Sequence, residues 1–188
     1  NIELLEKGCE NLIAHIEIVK KSGIRPVVCI NHFYTDTKAE VELVRRVAER
    51  NNARAVYSEH WLKGGEGARE LAEAVIEACG EKKRFRFLYK SDVPLREKIE
   101  LIAKEVYGAE GVIYCEKAAE EAKRIETDEQ LKDFGVCMAK TQLSLSDDPQ
   151  LKGRPRNWML PIEDFLVYKG AGFIVPLAGH IKLMPGTA

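Results

Sequence analysis

The chain has 188 residues, 45% of them hydrophobic and 31% charged, with a net charge of -1, which fits one sizeable domain, or one domain and part of another, around a real core. That balance carries no overall attraction to nucleic acid or to anionic membrane. No apolar run approaches membrane-spanning length, and Asn1 opens the chain without a signal-peptide pattern.

From Ile2 to Ser22, Leu5, Leu12, Ile16 and Val19 recur at helical spacing and Gly23 stops them, which predicts one long amphipathic helix. Val27, Val28, Cys29 and Ile30 then form a continuous β-prone run, as in a central parallel strand covered on both faces. Thr37 and Glu40 have capping-box spacing, so a helix starts there and runs to about Arg50, where Asn51 and Asn52 end it. A short strand over Ala53 to Tyr57 and a glycine-rich loop over Ser58 to Gly67 follow. Ala68, Leu71, Ala72, Val75, Ile76 and Cys79 predict the next helix, closed by Gly80.

Lys82 to Arg86 (KKRFR) reads as a solvated helix end, with no nucleic-acid role. Further on, the pattern predicts a strand over Phe85 to Tyr89, a helix over Pro94 to Tyr107, and a strand over Gly111 to Cys115. A helix over Glu116 to Ile125 and a strand over Gly135 to Ala139 come next. The fold class is α/β: a mainly parallel sheet with flanking helices. Thr141 to Trp158 is too polar and too rich in turn formers for regular structure, and a loop of that length is expected to be functional. Met159 to Val167 and Phe173 to Ile181 predict two C-terminal strands. The expected organisation is an α/β core over 1–140, with the loop and terminal strands over 141–188. The chain's ends read as cut from something longer.

Five cysteines, Cys9, Cys29, Cys79, Cys115 and Cys137, fall singly, without the paired spacing of a disulfide framework or a zinc knuckle. Four lie in apolar patterns, so buried, reduced thiols in a cytoplasmic protein are expected. No H-E-x-x-H or G-x-S-x-G motif points to metallohydrolase or serine hydrolase chemistry.

Ligand chemistry in open α/β sheets gathers at strand ends, and Asn31 to Asp36 is dense in polar and aromatic groups there. Phe33 and Trp61 both follow strands; two readings are open, a pair of faces for a flat heterocycle or two semi-buried core aromatics. Asn31, Thr35 and Asp36 fit either ligand hydrogen bonds or a local turn. His32 and His60 read as polar loop residues rather than catalytic bases. Gly64, Gly65 and Gly67 before a helix, with Lys63 beside them, fit either an anion-binding turn or a plain flexible one. Thr141, Ser144, Ser146, Asp147, Asp148 and Pro149 read structurally as turns.

PVVCINHFYTDT, HWLKGGEGARELA, VCMAKTQLSLSDDP with GRP, and GAGFIVPLAG followed by MPG together resemble the formate tetrahydrofolate ligases, in order and over nearly the whole chain. The resemblance covers only the C-terminal part of that family's usual chain. The family's phosphate loop, G-x-x-x-x-G-K-[ST], is absent, since GGEGARE lacks its lysine and spacing. The resemblance implies an ATP-dependent reaction with magnesium: formate is phosphorylated, and the tetrahydrofolate amine attacks formyl phosphate to give 10-formyltetrahydrofolate, ADP and phosphate. It implies that Phe33 and Trp61 sandwich the pteridine or aminobenzoyl part of tetrahydrofolate; from the residues themselves, Asn31 and Asp36 are the candidate hydrogen-bond partners of such a ligand and Lys63 the candidate partner of its carboxylates. It places Pro155, with Arg156 beside it, against the adenine, although Arg156 and Asn157 stand where the family commonly has small residues. No catalytic residue and no metal ligand is assigned. The implied partners are tetrahydrofolate, formate, ATP, the N-terminal portion of the same enzyme and further copies in a homo-oligomer. The competing reading is a folate or purine binding module without catalysis, which the missing phosphate loop favours.

Overall fold

A computed structural model describes residues 1–82 and 84–179. The chain forms two compact units, Asn1–Arg86 and Phe87 onward. The division falls inside the 1–140 stretch expected as one core.

In the first unit, helix α1 (Ile2–Lys21) precedes strand β1 (Val27–Asn31), helix α2 (Lys38–Arg50) and strand β2 (Arg54–Ser58). Gly23 ends the α1 region at φ 76°, and a Cβ there would lie 2.0 Å from Arg84 O, so only glycine fits. Thr37 caps α2 as its spacing predicts: its hydroxyl takes the Glu40 amide while the Glu40 carboxylate takes the Thr37 amide at 2.9 Å. β1 and β2 pair in parallel, Val27 opposite Arg54 through Asn31 opposite Ser58. Ile16, Ile30, Ala48, Ala53 and Ala55 form the core between helices and sheet.

The expected covering of β1 on both faces is not found. Its sheet has two strands and Cys29 is exposed, because Val28 and Ile30 turn toward the core and the alternate side chains do not. Ser58 to Gly67 is not a loop but a short helix α3 (His60–Lys63) and a 3-10 turn (Gly64–Ala68), which lead into α4 (Arg69–Gly80). α4 forms where its spacing predicts, yet Val75, Ile76 and Cys79 are exposed and Ala74 makes the buried contact. Phe85 to Tyr89 forms no strand; it is irregular and crosses the boundary between units, with Phe85 and Phe87 exposed. Within the basic run, Arg86 donates to Lys21 O at 2.7 Å, tying it to the end of α1; Lys83 lies outside the described residues.

In the second unit, α5 (Leu95–Ile102) continues into a π-helical turn (Ala103–Tyr107), then β3 (Gly111–Tyr114) and α6 (Glu116–Thr127). β4 (Gly135–Val136) is shorter than predicted, with only a bridge from Ala139 to Leu177 prolonging it. The predicted strand Met159 to Val167 divides at Glu163 into β5 (Met159–Ile162) and β6 (Asp164–Tyr168), which join different sheets. β7 (Phe173–Leu177) follows; Ile181 lies outside the described residues. Pairings β3–β5 and β4–β7 are parallel and β6–β7 is antiparallel. The fold is therefore α/β and mainly parallel, distributed over three small sheets among the described residues. Leu95, Ile99, Ile102, Leu160, Ile162, Phe165 and Ile174 anchor the core of this unit.

Of the cysteines only Cys9 is buried. Cys29, Cys79 and Cys137 are exposed and Cys115 is intermediate, so the burial expected of four thiols is found for one alone; all five are free thiols. No helix among the described residues is long and apolar enough to cross a membrane.

Candidate functional site

The parallel pairing of β1 and β2 brings their C-terminal ends side by side, and the chain after each end carries one large aromatic ring. Phe33 and Trp61 meet there with ring centroids 5.8 Å apart and planes 24° from parallel. Each is 47% exposed, so neither is a core residue. The two rings touch each other; a flat ring inserted between them needs about 7 Å, twice the optimal carbon contact of about 3.5 Å.

A network of polar groups holds the pair. The Trp61 indole N–H donates to His32 O at 2.7 Å, and the His32 amide donates to Ser58 O at 3.0 Å, which ties the Phe33 loop to β2 and α3. Asp36 Oδ2 accepts from the Phe33 amide at 2.8 Å, and the Asp36 amide donates back to Phe33 O at 2.9 Å, closing a tight turn. Lys63 Nζ donates to Glu59 Oε2 at 2.5 Å. His32 Nδ1 lies 3.6 Å from Glu59 Oε1, and its ring packs on Tyr57 at 4.6 Å. Bonded by Lys63, Glu59 is held below the usual carboxylate range, while the Lys63 ammonium is raised by the same contact. Burial is the main cause pushing the Tyr57 phenol up, with Glu59 second.

Asn31 ends β1, exposed, opposite Ser58. Asp36 and Lys63 both have local partners, and a ligand contact by either must compete with these. His60 Nδ1 lies 3.0 Å from Ser58 Oγ, so both histidines have partners that their sequence neighbourhood did not reveal. In the glycine turn, Gly67 O accepts the Glu59 amide at 2.9 Å, and a Cβ on Gly67 would lie 2.5 Å from Glu59 O. Close packing requires that glycine. Glu59 itself was missed: its i,i+4 spacing to Lys63 was the signal the sequence carried, while His32 comes from a separate loop that only the fold brings near.

Pro155 and Arg156 lie in the second unit, in the irregular stretch before β5, where Asn157 adopts φ 58°. That stretch is ordered by hydrogen bonds from within. Lys140 Nζ donates to Thr141 O at 2.9 Å and to Ser144 O at 2.5 Å, and lies 4.9 Å from the centre of the Tyr107 ring. Buried Ser146 donates to Asp148 O at 3.1 Å. Desolvation lowers the Lys140 ammonium below its ordinary value.

The whole chain, residues 1–188, matches the sequence model of the family described as "Formate--tetrahydrofolate ligase". The chain belongs to that family. It is similar to ligases of that name from Desulfotalea psychrophila, 56% identical over 187 residues, covering 100% of this chain and 34% of that protein. It is also similar to those of Desulforapulum autotrophicum, 58% identical with 32% of the relative covered, and Dehalococcoides mccartyi, 57% identical with 32% covered. The chain thus spans about a third of the length of these ligases. Among the described residues, no group of three or more His, Cys, Asp or Glu side chains could hold a metal ion.

Proposed function

We propose that this chain is the folate-binding portion of a formate tetrahydrofolate ligase. The observation that carries the reading is the exposed, stacked Phe33–Trp61 pair at the ends of two parallel strands. Two large rings held half-exposed forgo burial that a core would supply, and a flat ligand recovers it. Family membership supports tetrahydrofolate as that ligand, because the relatives are named for it.

The ring system of tetrahydrofolate enters as Phe33 and Trp61 part, and is held between their faces. Asn31, Asp36 and Lys63 meet its amide, amine and carboxylate groups, the last two by exchanging local partners. Holding the folate amine rigid lowers the entropic part of the barrier to its attack on an acyl phosphate. Pro155 and Arg156 line the adenine of ATP, which carries its own magnesium. The phosphate cradle that stabilises the transferring group lies outside this chain.

Incubating the purified chain with tetrahydrofolate, formate, ATP and magnesium tests this. Saturable quenching of Trp61 fluorescence by tetrahydrofolate is expected, with no 10-formyltetrahydrofolate formed. Turnover by the chain alone, or calorimetric binding that leaves Trp61 unquenched, would overturn the reading.

A further inference from the structure

We infer that Glu59 is the positioning residue of the aromatic pair, its carboxylate joining the loop that carries Phe33 to the turn that carries Trp61. Glu59 stands where β2 ends and α3 begins. Its amide donates to Gly67 O at 2.9 Å, and its carbonyl accepts the Leu62 and Lys63 amides at 3.0 and 2.9 Å, so its backbone is fixed on both sides. From that fixed point the carboxylate reaches three elements. Oε2 takes Lys63 of α3, Oε1 faces His32 of the Phe33 loop, and the Tyr57 phenol of β2 interacts electrostatically with the same group.

His32 transmits the constraint in both directions. Its carbonyl holds the Trp61 indole and its peptide continues directly into Phe33, so a shift of His32 moves one ring and releases the other. The His32 and Glu59 side chains are only 19% and 20% exposed. Water therefore screens their contact less than it would an open surface pair. Lys63 completes the bracing: its ammonium draws the C-terminal end of α3 onto Glu59, and Trp61 is carried on that same turn. A side chain of this length that ends in an acceptor oxygen is what the position calls for, because Lys63 donates to it from α3. Glu59 acts through His32 and Lys63, without touching the ligand. The placement of the rings follows from this network alone, while the consequence for tetrahydrofolate rests on the reading given above.

The test uses the 188-residue chain with Trp158→Phe, which leaves Trp61 as the single tryptophan of two. Emission wavelength, acrylamide quenching and tetrahydrofolate affinity are then compared across Glu59→Ala and Glu59→Gln. With alanine, Trp61 emission is expected to move to the red, quenching to increase, and the dissociation constant to rise about tenfold. Glutamine keeps an acceptor for Lys63, and is expected to restore most of the emission and bring the dissociation constant within about threefold of the parent. Unchanged Trp61 emission in Glu59→Ala would overturn the inference. If Glu59→Ala does not fold, Lys63→Met removes one tie only; a smaller red shift supports the inference and none contradicts it. The folate reading fails separately: in that case Glu59→Ala moves the emission, while Phe33→Ala binds tetrahydrofolate like the parent.

Discussion

One group of aromatic and charged side chains in each unit is used in the opposite way from the other. In Phe87 onward, Trp158 and Phe165 are buried and the ammonium of Lys98, itself 1% exposed, turns inward to bond Lys132 O and Phe134 O at 3.0 Å each. In Asn1–Arg86 the buried core is built largely of Ile and Ala, while Phe33 and Trp61 stay half-exposed and Glu59, Lys63 and His32 are gathered beside them. The same residue types thus support packing at Trp158, Phe165 and Lys98 and a presented surface at Phe33 and Trp61. Hydrophobic side chains normally find cover, so a braced and exposed ring pair marks a place kept open for something else.

Truncation in the second core breaks the comparison most severely. Ile99 is 0% exposed, and Ile99→Ala is expected to destabilise this unit by about 2–5 kcal/mol in urea or thermal unfolding. A cost below about 1 kcal/mol would mean that the core is not packed as described.

Lys98 sharpens the contrast through pH. Burial lowers its folded-state value, with Asp133 and Asp92 opposing. Between the folded and unfolded values the unfolded chain retains a proton that the folded chain has released. Stability from this group therefore rises with pH through that window, and is lost as pH falls through the folded value. Lys98→Met should abolish that rise and leave two carbonyls without a donor, costing roughly 2 kcal/mol at neutral pH. A parent chain whose urea midpoint falls as pH is raised through that window would contradict the assignment.

Much of the fold was legible because its signals are local. Gly23, the Thr37–Glu40 box and the apolar spacing of α4 and α5 each act within a few residues, and each element stands where they place it. What failed depended on distant cover. Val27 to Ile30 reads as a doubly covered strand only if something covers both faces, and here Cys29 is exposed. Phe85 to Tyr89 has strand composition but forms no strand, and its Arg86 amide donates to Ser22 O at 3.0 Å. The aromatic pair was legible as two rings after two strands. Its brace was legible only in part: Glu59 and Lys63 are an i,i+4 pair, while His32 reaches Glu59 only after β1 and β2 have paired in register.

The most direct measurement of the central claim is thermal melting beside tetrahydrofolate titration for Phe33→Ala and Trp61→Ala. Both rings are half-exposed, so truncation should change stability by about 1 kcal/mol or less, against 3–5 kcal/mol for a buried aromatic. The tetrahydrofolate dissociation constant should rise about tenfold to a hundredfold, taking base stacking on aromatic rings as the nearest analogue. A large fall in melting temperature with unchanged tetrahydrofolate affinity in the folded fraction would contradict it.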